Sequence, residues 1–334
     1  MPTLPDFRPY YEGKKVLITG GLGFIGSNLA TRLVELGANV LLVDSLIPEY
    51  GGNLFNIQPI REQLQVNIAD MRDEYGLRYL VQEQDYIFNL AGQVSHTDSM
   101  SNPYTDLEIN VRSQLFLLEA CRYGNQKAKI IFASTRQIYG KPEYLPVDER
   151  HPLQPVDVNG INKMAGEWYH IVYHKAYDLK TVSLRLTNTY GPRMRIKDAR
   201  QTFIGWWFRQ LVEGQPLQIF GDGLQVRDFN FVSDVVDALL LVAFNNAANG
   251  QIYNLGSDDP INLKDLAEIM IDVYGRGRYE IVPFPEDRKR IDIGDFYGDY
   301  RKLRSKLGWR PRVPLREGLA RTLAYYETHL THYI

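Results

Sequence analysis

Seven residues, Gly20-Gly21-Leu22-Gly23-Phe24-Ile25-Gly26, separate a run that reads as a buried strand from a run that reads as a helix. The strand is KVLIT (15 to 19), and the helix carries apolar residues at Ile25, Leu29, Leu33 and Leu36, the spacing of one helical face. A glycine turn at such a junction lets backbone N–H groups approach a pyrophosphate at the helix N-terminus, and its last glycine lets helix and strand pack closely. The spacing here is Gly-x-x-Gly-x-x-Gly, one residue different from the usual dinucleotide fingerprint.

The same alternation continues beyond the turn. NVLLVD (39 to 44), LQVNIAD (64 to 70), DYIFNLAG (85 to 92) and AKIIFAST (128 to 135) read as strands, with helices expected at about 72 to 83 and 103 to 123. A long helix beginning after Val158 leads to the strand TVSLRL (181 to 186). This is the pattern of a Rossmann-type, doubly wound parallel α/β sheet. After Asn188 it loosens into a Pro-containing turn at Tyr190 to Arg193, a Trp/Phe-rich helix near 201 to 213, the strand LQIFG and a helix at 262 to 275. The expectation is a Rossmann domain over 1–188 and a smaller C-terminal α/β substrate domain over 189–334, with part of 226–256 returning to the first. Asp44 ends the second strand, where a carboxylate accepts hydrogen bonds from the adenosine ribose hydroxyls. No Arg follows it to meet a 2′-phosphate, which favours NAD over NADP.

Charge and cysteine content narrow the function classes. With 38 Lys+Arg against 40 Asp+Glu the formal charge is −2, so nothing supplies the cationic excess of a general nucleic-acid binder. The one cysteine, Cys121, cannot form an intrachain disulfide and reads as a buried, inert thiol, which points to a reducing, cytoplasmic setting. The N-terminus lacks the order of a signal peptide, and no segment approaches the ~20 apolar residues of a membrane span.

Several segments taken together resemble the extended short-chain dehydrogenase/reductase family, in its nucleotide-sugar epimerase and dehydratase branch, over about residues 14 to 328. TGGLGFIGSNLA is similar to that family's cofactor loop, which implies Gly20, Gly23, Phe24, Ile25 and Gly26. NIADMRD resembles its adenine-contacting pair, implying Asp70 and Met71, and NLAGQVSHTDSMSNP the strand under the nicotinamide, implying Leu90, Ala91 and Gln93. FASTRQIYG is similar to the segment of the catalytic Ser/Thr, here Thr135. RLTNTYGPR implies a substrate contact at Asn188, and FGDGLQVRDFNFVSDVVDAL a diphosphate grip by Arg227. EDRKRIDIGDFYGDYRKLRSKLGWRP resembles the C-terminal segment, with Arg288 as the second diphosphate contact and Arg290 in reserve. Paired N–H donors suit an Arg to a phosphate better than a flexible Lys.

The resemblance fails at one catalytic position. The family places a Tyr-x-x-x-Lys pair on one helix face, where the Lys cation lowers the Tyr pKa so that a phenolate removes a hydroxyl proton. Lys163 is in place, but the Tyr position holds Asn159, whose amide cannot titrate near neutrality. Either another group takes the proton or the redox step is slow, different or absent. The substitutes are Lys163 itself and His96, at the end of a parallel strand where ligand sites gather. Tyr139 ranks below both, since its resemblance is to a structural aromatic.

The pair after Thr135 is Arg136-Gln137, where dehydratases resembling this chain carry an acid and a base. Neither residue serves that purpose, which disfavours 4,6-elimination, while Arg136 can pair with a substrate carboxylate. His170 and His174 have a helical ligand spacing with no third ligand, so no metal is expected. The resemblance implies an NAD-dependent epimerase of a nucleoside-diphosphate sugar, UDP-linked, and a homodimer. The alternatives are a nonstandard dehydratase or decarboxylase, and a binding protein that has lost catalysis.

Overall fold

A computed structural model describes residues 4–334. After a short helix α1 (Arg8–Tyr11), a seven-stranded sheet forms from β1 (Lys15–Thr19), β2 (Asn39–Asp44), β3 (Gln65–Ile68), β4 (Tyr86–Asn89), β5 (Lys129–Thr135), β6 (Lys180–Leu186) and β11 (Ile252–Asn254). Every pairing in it is parallel, and the order is β11-β6-β5-β4-β1-β2-β3. Burial on both faces explains the near-continuous apolar runs of these strands. In β1, Val16 and Ile18 face one core and Leu17 the other, the period-2 alternation of a strand.

Helices cover each face. On one side α2 (Phe24–Glu35) packs with α9 (Val232–Phe244), and on the other α3 (Glu74–Leu80) packs with α6 (Ser113–Gly124). Ten of the thirteen residues of α9 are buried, so this helix is apolar on almost every side and shows no readable stripe. Both α9 and β11 come from the segment between 226 and 256 and pack into the parallel sheet domain, where α12 (Arg301–Leu307) lies against β11. The strand order reverses between β1 and β4, and in open parallel sheets the crevice at that reversal is the ligand-binding position.

The helix expected over 103 to 123 is three pieces: α5 (Pro103–Leu107), a π-helical turn (Glu108–Arg112) and α6. Such a turn re-aims side chains within a helix. Here it directs Asn110 inward to donate to the Gln93 carbonyl at 2.9 Å and leaves Ile109 on the cleft wall. A preceding helix, α4 (His96–Ser101), has no counterpart in the sequence reading; Ser95 caps it by accepting from Asp98 N.

The long helix α7 (Val158–Tyr177) starts on Asp157, whose Oδ1 accepts from Gly160 N at 2.6 Å. It is fastened to β6 by a buried ion pair, Arg185 Nη2 to Glu167 Oε1 at 2.6 Å and Nε to Oε2 at 3.0 Å. The same guanidinium donates to the Tyr139 hydroxyl, which in turn donates to Asn254 Oδ1. Tyr139 is thus a buried structural group, its phenol pushed up to about 12 by burial.

The second lobe has its own apolar core, built by α8 (Phe203–Val212), α10 (Leu263–Tyr274) and α13 (Leu315–His329) around β8 (Leu217–Phe220), which pairs in parallel with β13 (Tyr279–Val282). Between the lobes run short pairs, β7 (Asn188–Tyr190) with β10 (Phe229–Phe231) and β9 (Val226–Arg227) with β12 (Ile261–Asn262). No helix among the described residues is long and apolar enough to cross a membrane.

Candidate active site

A cleft of about 750 Å³ opens where the C-terminal ends of the sheet strands meet the second lobe. Its floor is the glycine turn. No side chain caps α2, whose N-cap is Gly23, so its N-terminus is left to an anion. A Cβ on Gly26 would stand 2.2 Å from the Gly20 carbonyl oxygen, and one on Gly20 about 3.0 Å from the Ala91 backbone. Both contacts are with backbone, which explains why the turn admits only glycine there. Thr19 Oγ1 accepts from the N–H groups of both Leu90 and Ala91 at 3.1 Å, tying the ends of β1 and β4 beneath the turn.

Asp44, Asp70, Met71, Leu90 and Ala91 all line the same end of the cleft. The Asp44 carboxylate accepts one N–H on each oxygen, from Leu22 and Leu46, so lone pairs remain for two ribose hydroxyls. Burial raises its pKa despite those bonds. These residues fit a dinucleotide: anion-ready helix terminus, close glycine backbone and a carboxylate at the ribose position. Gln93 does not line the cleft. Its side chain turns into the protein, donating to the Ser95 carbonyl and accepting from Asn159, so an indirect support replaces the expected cofactor contact.

At the centre of the cleft lie Thr135, Lys163, Asn159, His96 and Gln137. Lys163 Nζ donates to the Ala133 carbonyl at 2.7 Å and sits 4.7 Å from the Phe132 ring centroid. Burial pushes its pKa down to about 8, partly opposed by Asp106 and Glu167. Thr135 caps the following turn by accepting from Gln137 N, which leaves its own hydroxyl hydrogen to donate.

Asn159 is held rather than poised. Its Nδ2 donates to the Gln93 carbonyl at 2.8 Å and to Asp106 Oδ2 at 3.0 Å, while Asn162 donates to Asp106 Oδ1 at 2.7 Å. Asp106 is fully buried, and the two amides, one helical turn apart on α7, satisfy a carboxylate that would otherwise be costly.

His96 meets a partner that sequence reasoning missed. Its Nδ1 lies 2.9 Å from Asp157 Oδ2; the imidazole is 32% exposed and lines the cleft, whereas the Asp157 side chain is 1% exposed. Gln137 Nε2 also reaches both groups, at 3.3 and 3.4 Å. Burial would raise the Asp157 carboxyl, but His96, Gly160 N and Gln137 together hold it below its ordinary range. The position before a helix is an N-cap signal, yet the pairing with His96 depends on how α4 packs against α7.

The far end carries the arginines. Arg227 is buried, with Nη1 donating to the carbonyls of Val226 and Gly294 and Nη2 3.5 Å from Asp292, and burial lowers its pKa. Arg136 Nη2 donates to Asn188 Oδ1 at 3.2 Å, and Asn188 Nδ2 donates to the Asp228 carbonyl. Arg288 lies over the Phe220 ring at 5.4 Å. Arg290 does not reach the cleft: α11 (Glu286–Lys289) is followed directly by Arg290 and Ile291, Arg288 and Ile291 share the cleft-facing side of this turn, and Arg290 falls on the solvent side. Trp206, Phe220 and Phe284 form an aromatic wall that sequence reading did not single out, since they come from three separate segments that meet only when the lobe folds.

His170 and His174 serve separate carbonyls, Gly166 and Leu179, and His170 stacks on Phe132. Among the described residues no group of three candidate metal ligands occurs.

A parallel sheet whose strand reversal opens on a glycine-floored, carboxylate-bearing cleft beneath a second lobe is the build of a dinucleotide-dependent enzyme. Residues 16–256 match the family described as the NAD dependent epimerase/dehydratase family, and the chain belongs to it. It is 33% identical over 315 residues to a putative UDP-glucose 4-epimerase of Methanocaldococcus jannaschii, covering 94% of this chain and 99% of that one. It is 31% identical to UDP-glucuronic acid decarboxylase 1 of Danio rerio, covering 96% of this chain and 74% of that one. The structure of a UDP-glucose 4-epimerase of Thermotoga maritima with UDP-glucose superposes with a TM-score of 0.87 at 31% identity, over 95% of this chain and 99% of that one.

Proposed function

We propose that this chain is an NAD-dependent epimerase of a nucleoside-diphosphate sugar, acting through a transient keto-sugar in the manner of a UDP-glucose 4-epimerase. The observation that carries the reading is the His96–Asp157 pair, 2.9 Å apart, in the cleft that also holds Lys163 and Thr135. It supplies a titratable group where Asn159 removes one.

NAD held on the glycine turn, Asp44 and Lys163 would supply reversible hydride acceptance from a ring carbon. Asp157 holds His96 by Nδ1, which leaves Nε2 to take the hydroxyl proton as the carbonyl forms and to return it afterwards. Thr135 donates to the substrate oxygen, and Lys163 holds the nicotinamide ribose. The glycine turn and α2 take the pyrophosphate, Asp44 the ribose, and Asp70 and Met71 the adenine. Asn188, Arg227 and Arg288 anchor the sugar nucleotide's diphosphate while the sugar turns over, with the aromatic wall beside its base.

UDP-glucose, UDP-galactose and UDP-glucuronate incubated with NAD-loaded protein should give a stereoisomer of at least one of them with no NADH accumulating. His96→Ala should lower kcat by about 10²–10⁴-fold and leave NAD affinity unchanged, and Asp157→Asn should also lower kcat. A product lighter than its substrate would favour a dehydratase or decarboxylase. Recovery of every substrate unchanged, with nucleotide bound, would favour a binding protein.

The reading also takes the chain as a homodimer. Helices α5, α6 and α7 pack side by side yet leave Tyr104, Tyr123, Trp168 and Val172 exposed, an apolar surface suited to a second copy. Cys121 is buried, its thiol pushed up to about 12 by burial, which suits the cytoplasmic setting read from cysteine usage.

A further inference from the structure

Resting on the nucleotide-sugar reading, we infer that Arg136 selects a sugar bearing a carboxylate at C6, so that the preferred substrate is a nucleoside-diphosphate hexuronate rather than a neutral hexose. Arg136 Nη1 is buried and has no hydrogen-bond partner. Its Nη2 makes one bond, to Asn188, and the guanidinium lies 5.2 Å from the Phe296 ring centroid. A buried guanidinium left half-satisfied on a cleft wall is a site built for an anion that arrives from the cleft.

Asp228 and Asp292 support the Arg136 charge from nearby, but neither hydrogen-bonds to it. Arg227 adds a second positive charge nearby and works against the first. Asp292 is engaged by Arg227 and Gln225. Asp228 accepts from Gly298 N and makes no hydrogen bond to Arg136, and burial pushes its carboxyl up to about 6. The guanidinium is itself pushed down to about 9, first by burial and then by Arg227, a penalty that an incoming carboxylate would reverse.

Position says which part of the substrate meets it. Residues 136 and 137 come directly after Thr135 on one short turn and diverge: Gln137 reaches toward His96 and Asp157, while Arg136 reaches toward Asn188 with Arg227 beyond. Arg136 therefore stands between the proposed reacting centre and the proposed diphosphate anchor, the stretch of cleft that the reading gives to the sugar. The carbon at which a hexose ring ordinarily carries an acid is C6. A planar carboxylate there accepts from Nη1 in a geometry that a hydroxymethyl group satisfies only in part.

The test is titration of UDP, UDP-glucose and UDP-glucuronate into the NAD-loaded wild type, Arg136→Gln and Arg136→Lys, with thermal melting as the folding control. The wild type should bind UDP-glucuronate at least ten-fold tighter than UDP-glucose. Arg136→Gln should erase that preference while UDP affinity stays within about two-fold, and Arg136→Lys should keep part of it. Equal wild-type affinity for the two sugars overturns the inference and leaves the nucleotide-sugar reading standing. So does an Arg136→Gln loss shared equally by UDP and both sugars, which would make Arg136 a phosphate contact. A wild type that binds no UDP overturns both.

Discussion

At the scale of single residues, Lys163 and Asn159 sit on one helix face with different tasks: Lys163 lines the cleft centre, while Asn159 is tied to Gln93 and Asp106. Burial pushes the Lys163 ammonium down to about 8. As a ribose-holding cation it should make kcat/KM fall as pH rises through about 8, whereas a neutral base would make it rise. Lys163→Met should abolish that limb, read from pH profiles of the two proteins. Stability moves the other way: a Lys depressed from 10.5 to about 8 binds fewer protons folded than unfolded, so stability rises between those values. Lys163 and Asn159 could be found by motif, but their states could not. Whether Asn159 was idle or engaged depended on Asp106, a buried carboxylate that nothing local in the sequence marks as its partner. Arg136 was open to a carboxylate reading from its residue type alone, while its unpaired nitrogen appears only after folding.

At the scale of elements, the strand–turn–helix that begins the chain was legible because its constraint is local. Gly26→Ala would set a Cβ against the backbone of Gly20 and Gly21. It should abolish NAD binding by titration and lower the melting temperature. The α7–β6 contact is a different kind of constraint, a buried Glu167–Arg185 pair with Tyr139 as third member. Removing one partner strands the other charge, so Glu167→Ala should cost roughly 3–5 kcal/mol in denaturant unfolding. Periodicity could not reveal α9, which is apolar all round, or the π-turn that divides the helix after Pro103. It could not phase the short turn that sets Arg288 toward the cleft and Arg290 toward solvent either.

At the scale of the whole molecule, a chain of nearly balanced charge concentrates its function in one cleft between a parallel sheet and a second lobe. The exposed aromatic face of α5 to α7 predicts a particle of twice 38.5 kDa by light scattering, and Trp168→Glu should shift it toward the monomer. The doubly wound parallel sheet could be anticipated from the alternation of strands and helices. The meeting of His96 with Asp157 could not, because it joins the starts of two helices that are distant in the chain. That pair matters only if the cleft oxidises and re-reduces a sugar carbon. The direct measurement is NMR and mass analysis of product from UDP-glucose and UDP-glucuronate deuterated at C4. The predicted result is the C4 epimer with deuterium kept at C4 and none in the water. An epimer carrying solvent hydrogen at C4, or both substrates returned unchanged by NAD-loaded protein, would contradict it.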